Sequence, residues 1–109
     1  ILKLNKNSIS GKRLKPGVWV DKNTVIEKGV KIIAPCVIGK NCIIKKGSII
    51  GEYTTIADDT VIGQNCKIKN SIVWNGAKIS REVNLDNCVV GHYAKLPEKI
   101  SISEGTILK

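Results

Sequence analysis

Methionine and phenylalanine are absent from the 109 residues, and two tryptophans and two tyrosines are the only aromatic side chains besides one histidine. A core must then be built from Ile, Val and Leu, and their β-branched members suit pleated strands and resist helices. Lack of Met even at position 1 predicts a piece of a longer polypeptide rather than a complete gene product. No apolar run reaches the ~18 residues a spanning helix needs, and no charged-then-apolar leader opens the chain, so neither a membrane partner nor export is expected. The single histidine, His92, is too few for a three-histidine metal centre. The four cysteines form no C-x-x-C pair, which disfavours zinc.

What the chain does have is a period. In CVIGKNCIIKKGSIIGEYTTIADDTVIGQNC, from Cys36 to Cys66, an isoleucine falls at every sixth place: Ile38, Ile44, Ile50, Ile56 and Ile62. A helix advancing about 100° per residue would scatter these side chains in three directions. Gly39, Gly51, Gly63 and the Lys45-Lys46-Gly47 run break up any long extended segment. Short strands separated by turns remain. The six-residue step holds from Leu14 through Val20, Ile26 and Ile32 to Ile68. A five-residue step then leads to Val73, Ile79 and Leu85, and a second to Val90, Leu96, Ile102 and Leu108.

Four residues after each anchor comes a second, uncharged position, read as Val18, Thr24, Val30, Cys36, Cys42, Ser48, Thr54, Thr60, Cys66, Ile72, Ala77, Val83, Val89, Ala94, Ile100 and Thr106. Just before many of these sit Gly17, Asn23, Gly29, Asn41, Gly47, Asp59 and Asn65, residue types that accept a left-handed backbone at a turn. Each hexad thus predicts a short strand with one large inward residue, then a tight turn and a small inward residue. Six-residue repeats of this kind build β-solenoids, and three hexads close one triangular coil. Residues eighteen apart should stack, in ladders such as Val20-Ile38-Ile56, Ile26-Ile44-Ile62 and Ile32-Ile50-Ile68. NSIVWNGAKI (70–79) and NCVVGHYAKL (87–96) lie seventeen apart, as a shortened coil requires. The expected architecture is an all-β, parallel solenoid of five to six coils over residues 14–109, with 1–13 as a linker or N-terminal cap. An antiparallel sandwich would not hold its loops to such constant length.

The IGKNC, IGEYT and IGQNC hexads resemble those of left-handed parallel β-helices, and the resemblance supplies the hand. WVDKNTVIEKGVKIIAPCVIGKNCIIKKGSIIG followed by IKNSIVWNGAKI is similar to the C-terminal domain of bacterial sugar-nucleotide pyrophosphorylases, the mannose-1-phosphate guanylyltransferase and glucose-1-phosphate nucleotidyltransferase family. That likeness covers roughly Val18 to Leu96. It implies a cytoplasmic parent that joins a nucleoside triphosphate to a sugar-1-phosphate, with Mg, in an N-terminal nucleotidyltransferase domain. The G-G-x-G-[ST]-R-L segment that holds phosphates in that domain has no match here. The chain's own part would be non-catalytic: oligomerisation, packing against that domain, or regulation, with no catalytic, cofactor or metal residue.

The same fold also carries acyltransferases, which use a histidine base near a subunit interface and a loop thrown out of a coil to wrap acyl-CoA. On that alternative His92 is the base, although the even spacing from Leu14 to Ile68 leaves no place for the loop. Stacking sets Cys36 on Thr54, Cys42 on Thr60, Cys66 on Ser48 and Cys88 on Ser71, never thiol on thiol. Free thiols in a dry core fit a reducing compartment. A net charge of +9 raises nucleic acid as a partner. The lysines are nevertheless spread along the coils, with Lys45-Lys46 the densest pair, and no aromatic platform for bases is present. Trp19 and Trp74 are the candidate contact residues of a homo-oligomer, because large rings placed outward among small neighbours mark interfaces.

Overall fold

The computed structural model describes residues 12–107 and contains strands and turns but no helix. After β1 (Lys12–Lys15) come five three-stranded coils. They comprise β2 (Val18–Val20), β3 (Val25–Ile26) and β4 (Lys31–Ile32); β5 (Cys36–Ile38), β6 (Ile43–Ile44) and β7 (Ile49–Ile50); β8 (Thr54–Ile56), β9 (Val61–Ile62) and β10 (Lys67–Lys69); β11 (Ile72–Val73), β12 (Lys78–Ile79) and β13 (Asn84–Asp86); and β14 (Cys88–Val90), β15 (Lys95–Leu96) and β16 (Ser101–Ile102). β17 (Gly105–Ile107) begins another turn of the coil.

Like strands of successive coils pair in parallel, giving a first face β1-β2-β5-β8-β11-β14-β17, a second β3-β6-β9-β12-β15 and a third β4-β7-β10-β13-β16. This is the left-handed parallel β-helix. All three expected ladders are present: Val20 pairs with Ile38 and Ile38 with Ile56, Ile26 with Ile44 and Ile44 with Ile62, and Ile32 with Ile50 and Ile50 with Ile68. Ile44, Ile50, Ile56 and Ile62 are wholly buried. A strand of two or three residues cannot bury a face alone, so each coil depends on its neighbours to cover these side chains.

The turns hold the coils in register. Asn23, Asn41, Asp59 and Asn65 have φ of 57–61°, and Gly17, Gly29 and Gly47 are also left-handed, as expected. So are Tyr53, Glu82, Tyr93 and Lys99, which the sequence does not flag. Left-handed backbone costs such residues about 1–2 kcal/mol. A second ladder offsets this cost: the turn N–H donates to a carbonyl of the coil before, as in Asn41 to Lys22 (3.1 Å), Tyr53 to Pro35 (2.7 Å), Glu82 to Gln64 (2.8 Å) and Tyr93 to Asn75 (2.9 Å).

Four expectations are corrected. At the shortened corners the small inward residue follows the anchor by three, not four: Ser71 and Cys88 are buried, while Ile72 is 38% exposed and Val89 partly so. Thr106 likewise points outward. Val90 pairs with Ile107, so the last anchor is Ile107 rather than Leu108, which is outside the described residues. This makes a third five-residue step at the same corner. Finally, β1 runs antiparallel to β2, with Lys12 opposite Val20, which takes Leu14 out of the parallel ladder. Most of the expected linker or cap, residues 1–11, is outside the described residues. The KRLK sequence of β1, followed by Pro16, fits a sheet edge, where charge and proline discourage further pairing.

Candidate assembly surface

Among the described residues every buried side-chain nitrogen and oxygen finds a partner inside the coil. The Cys42 N–H donates to Thr24 Oγ1 (3.1 Å), that of Cys66 to Ser48 Oγ (3.0 Å) and that of Cys88 to Ser71 Oγ (3.1 Å). Each hydroxyl passes its own proton to a carbonyl, that of Gly39 (2.6 Å), Gly63 (2.7 Å) or Lys69 (2.7 Å). Ala94, which lies over Ala77 and has no hydroxyl beneath it, makes a longer turn bond instead, from its N–H to the Gly91 carbonyl at 3.3 Å. All four cysteines are free and buried. Burial pushes the Cys36 thiol up to about 12 and that of Cys42 to about 11, and raises Cys66 and Cys88. A thiol so hard to ionise is a poor nucleophile and a poor metal ligand. Among the described residues no three His, Cys, Asp or Glu side chains gather as a metal site. No described helix is long and apolar enough to cross a membrane.

The first face differs from the other two. Its central outward column runs Trp19, Val37, Thr55, Ile72, Val89 and Thr106, each paired with the next. Beside it runs a column of Asp21, Gly39, Ala57, Trp74 and Gly91, aligned by bonds such as Gly39 N–H to the Ile56 carbonyl (2.7 Å) and Trp74 N–H to the Val90 carbonyl (2.9 Å). Between Gly17 and Ile107 there are twelve lysines and arginines, and none occupies this face. Lys45, Lys78 and Lys95 lie on the second face, Lys31, Lys67 and Lys69 on the third, and the others at corners. On the first face cations enter only at its rim, with β1. The expected spread of lysines along the coils holds for every coil but not for every face.

Both candidate tryptophans belong to this face, Trp19 in the first coil and Trp74 in the fourth. They stay 45% and 42% exposed. Trp74 does not lie alone: its indole packs on the His92 imidazole of the next coil, ring centroids 5.3 Å apart and tilted by 30°. His92 in turn lies 6.5 Å from the Tyr93 ring. Tyr93 covers Gly76, where even a methyl group would collide with its ring. The alternative base and one candidate contact residue thus form a single aromatic step at the corner between the first and second faces. The column of Trp74 with Gly39, Ala57 and Gly91 is the one the spacing predicts, whereas the central column from Trp19 to Thr106 and the His92 stack were missed by sequence reading, although residues laid out eighteen and then seventeen apart expose that column too.

Comparison with known proteins adds an independent line. Residues 32–109 match the family described as GMPPB C-terminal domain. A 2,3,4,5-tetrahydropyridine-2,6-dicarboxylate N-succinyltransferase of Methylorubrum extorquens (strain PA1) is 28% identical over 103 residues, covering 91% of this chain and 36% of that protein. The Bifunctional protein GlmU of Listeria welshimeri is 32% identical over 108 residues, covering 84% of this chain and 24% of that protein. The chain spans about a third or less of the curated relatives it matches.

Proposed function

We propose, from the premise that this chain belongs to the GMPPB C-terminal domain family, that it is the non-catalytic assembly domain of a sugar-1-phosphate nucleotidyltransferase. The observation that carries the assembly role is the first face, clear of cations from β2 to β17, with Trp19, Val37, Ile72 and Trp74 open on it. A homo-oligomer forms through this face. Catalysis, and the Mg it needs, belong to an N-terminal nucleotidyltransferase domain of the same longer protein, to which the coils are a scaffold and a point of regulation. Four buried, reduced thiols support a cytoplasmic setting.

The succinyltransferase likeness favours a second reading, an acyltransferase with His92 as base. The stack of His92 on Trp74 beside the proposed interface is compatible with it. Coils that run without an inserted loop from Val18 to Ile107 weigh against it. Assaying the longer protein, the same protein lacking these coils, and this chain alone separates the two readings. The longer protein should form nucleotide sugar from sugar-1-phosphate and nucleoside triphosphate. Removal of the coils should change its subunit number or regulation more than its chemical step. Transfer of an acyl group from acyl-CoA by this chain alone, lost in His92→Ala, would overturn the proposal.

A further inference from the structure

The cations kept off the first face do not spread evenly over the rest. An open cleft of about 600 Å³ lies where the second face turns toward the third, in coils two to five. Its cause is a missing side chain: Gly63 stands between Lys45 and Ser80 in one outward column, and the backbone of Ser80 comes so close that a Cβ on Gly63 would lie 2.6 Å from its carbonyl carbon. Val61 and Ile79 help line the hollow, and Lys45, Lys78, Arg81, Gln64 and Ser80 stand around it. Three cations face one carboxylate, Glu98. Glu98 engages Arg81 through Nε alone, at 2.6 Å, with both side chains about half exposed. The guanidinium's two terminal amino groups are left to meet an anion. A planar fork of this kind matches phosphate oxygens, and lysines supply point charge around it.

We propose that this cleft is a binding site for a phosphate-bearing small molecule, held by Lys45, Lys78 and Arg81 with Gln64 and Ser80 as neutral hydrogen-bonding partners. Its size suits a small ligand, since such sites run about 300–1,000 Å³, and an extended nucleic-acid strand would instead need a stripe of charge along the coils. Glu98 acts as an internal competitor that an incoming phosphate displaces from Arg81. The site is independent of the first face, so it stands whether or not the chain self-associates.

The test uses this chain with inorganic pyrophosphate as the probe, at constant ionic strength and with sulfate in parallel, read by amide chemical shifts. Saturable shifts are expected at Gly63, Gln64, Ser80 and Arg81. Lys78→Ala and Arg81→Ala should each raise the apparent Kd about tenfold, the scale of one lost charge-assisted hydrogen bond. Glu98→Gln should lower it, whereas Glu52→Gln, the same charge change elsewhere, should not. Lys31→Ala and Lys67→Ala on the third face should leave it within about twofold, as screening of distant exposed charges dictates. Equal weakening by the third-face variants, shifts spread over all coils, or no saturable shifts would each overturn the proposal.

Discussion

The first face and the third are made by the same hexad and bury the same kind of ladder, yet they present opposite surfaces. Inward, Val20-Ile38-Ile56 and Ile32-Ile50-Ile68 are interchangeable in chemistry. Outward, the first face shows Trp19, Val37, Thr55, Ile72 and Val89, while the third shows Lys31, Ile49, Lys67, Asn84 and Ser101. The fold fixes the inward residue at each step and leaves the outward one free. On a chain of charge +9, the first face from β2 to β17 is the one without cations, which is why the proposed approach of a like-charged copy is assigned to it.

Ile50→Lys, in the middle of the third-face ladder, should prevent folding, because it places an unpaired charge where no solvent reaches. A soluble variant with a cooperative melt would refute the inward ladder. Ile50→Ala should fold but lose ~2–5 kcal/mol in urea denaturation, since coils on both sides cannot collapse into the cavity. Ser48→Ala removes the acceptor of the buried Cys66 N–H, and a loss of about 1–3 kcal/mol is expected.

The thiols give a pH signature. Burial raises their folded values, to about 12 for Cys36 and about 11 for Cys42. Their contribution is therefore complete below an unfolded value of about 8.5 and is lost as pH rises from there toward those folded values. In that window the unfolded chain has released protons that the folded chain still holds. Stability should fall by up to ~1.4 kcal/mol per pH unit for each fully titrating thiol, and a Cys36→Ala, Cys42→Ala variant should flatten the slope relative to wild type. An identical slope in both would contradict the burial of these groups. The smallest effect belongs to Lys67→Ala, an exposed outward change on the third face, expected within about 0.5 kcal/mol in the same denaturation experiment.

Much of this was legible in the sequence, because six-residue steps leave no other regular shape and the anchors count themselves. The small inward position was misplaced only at shortened corners. There Ile72 and Val89 satisfy an apolar expectation one residue too late, while the alignment of Asn70-Ser71 with Asn87-Cys88 marks the true turn and the true inward residue. The last anchor shifted from Leu108 to Ile107 for the same reason, a deletion repeated at one corner. Left-handed Tyr53, Glu82, Tyr93 and Lys99 carry no compositional signal, since hydrogen bonds to the preceding coil and not the side chain favour their backbone. The cleft beside Gly63 depends on depth between coils, which a linear pattern does not record.

Sedimentation velocity of wild type against Val37→Lys, from low to high micromolar concentration, reads self-association through the first face. Val37 sits in the middle outward column of the first face, between Trp19 and Thr55, and is half exposed, so lysine there fits the monomer without strain and leaves far-UV dichroism and the urea midpoint unchanged. The wild-type sedimentation coefficient should rise with concentration, and the Val37→Lys variant should stay at the monomer value. A wild type that remains monomeric throughout, or a variant that associates as readily as wild type, would contradict it.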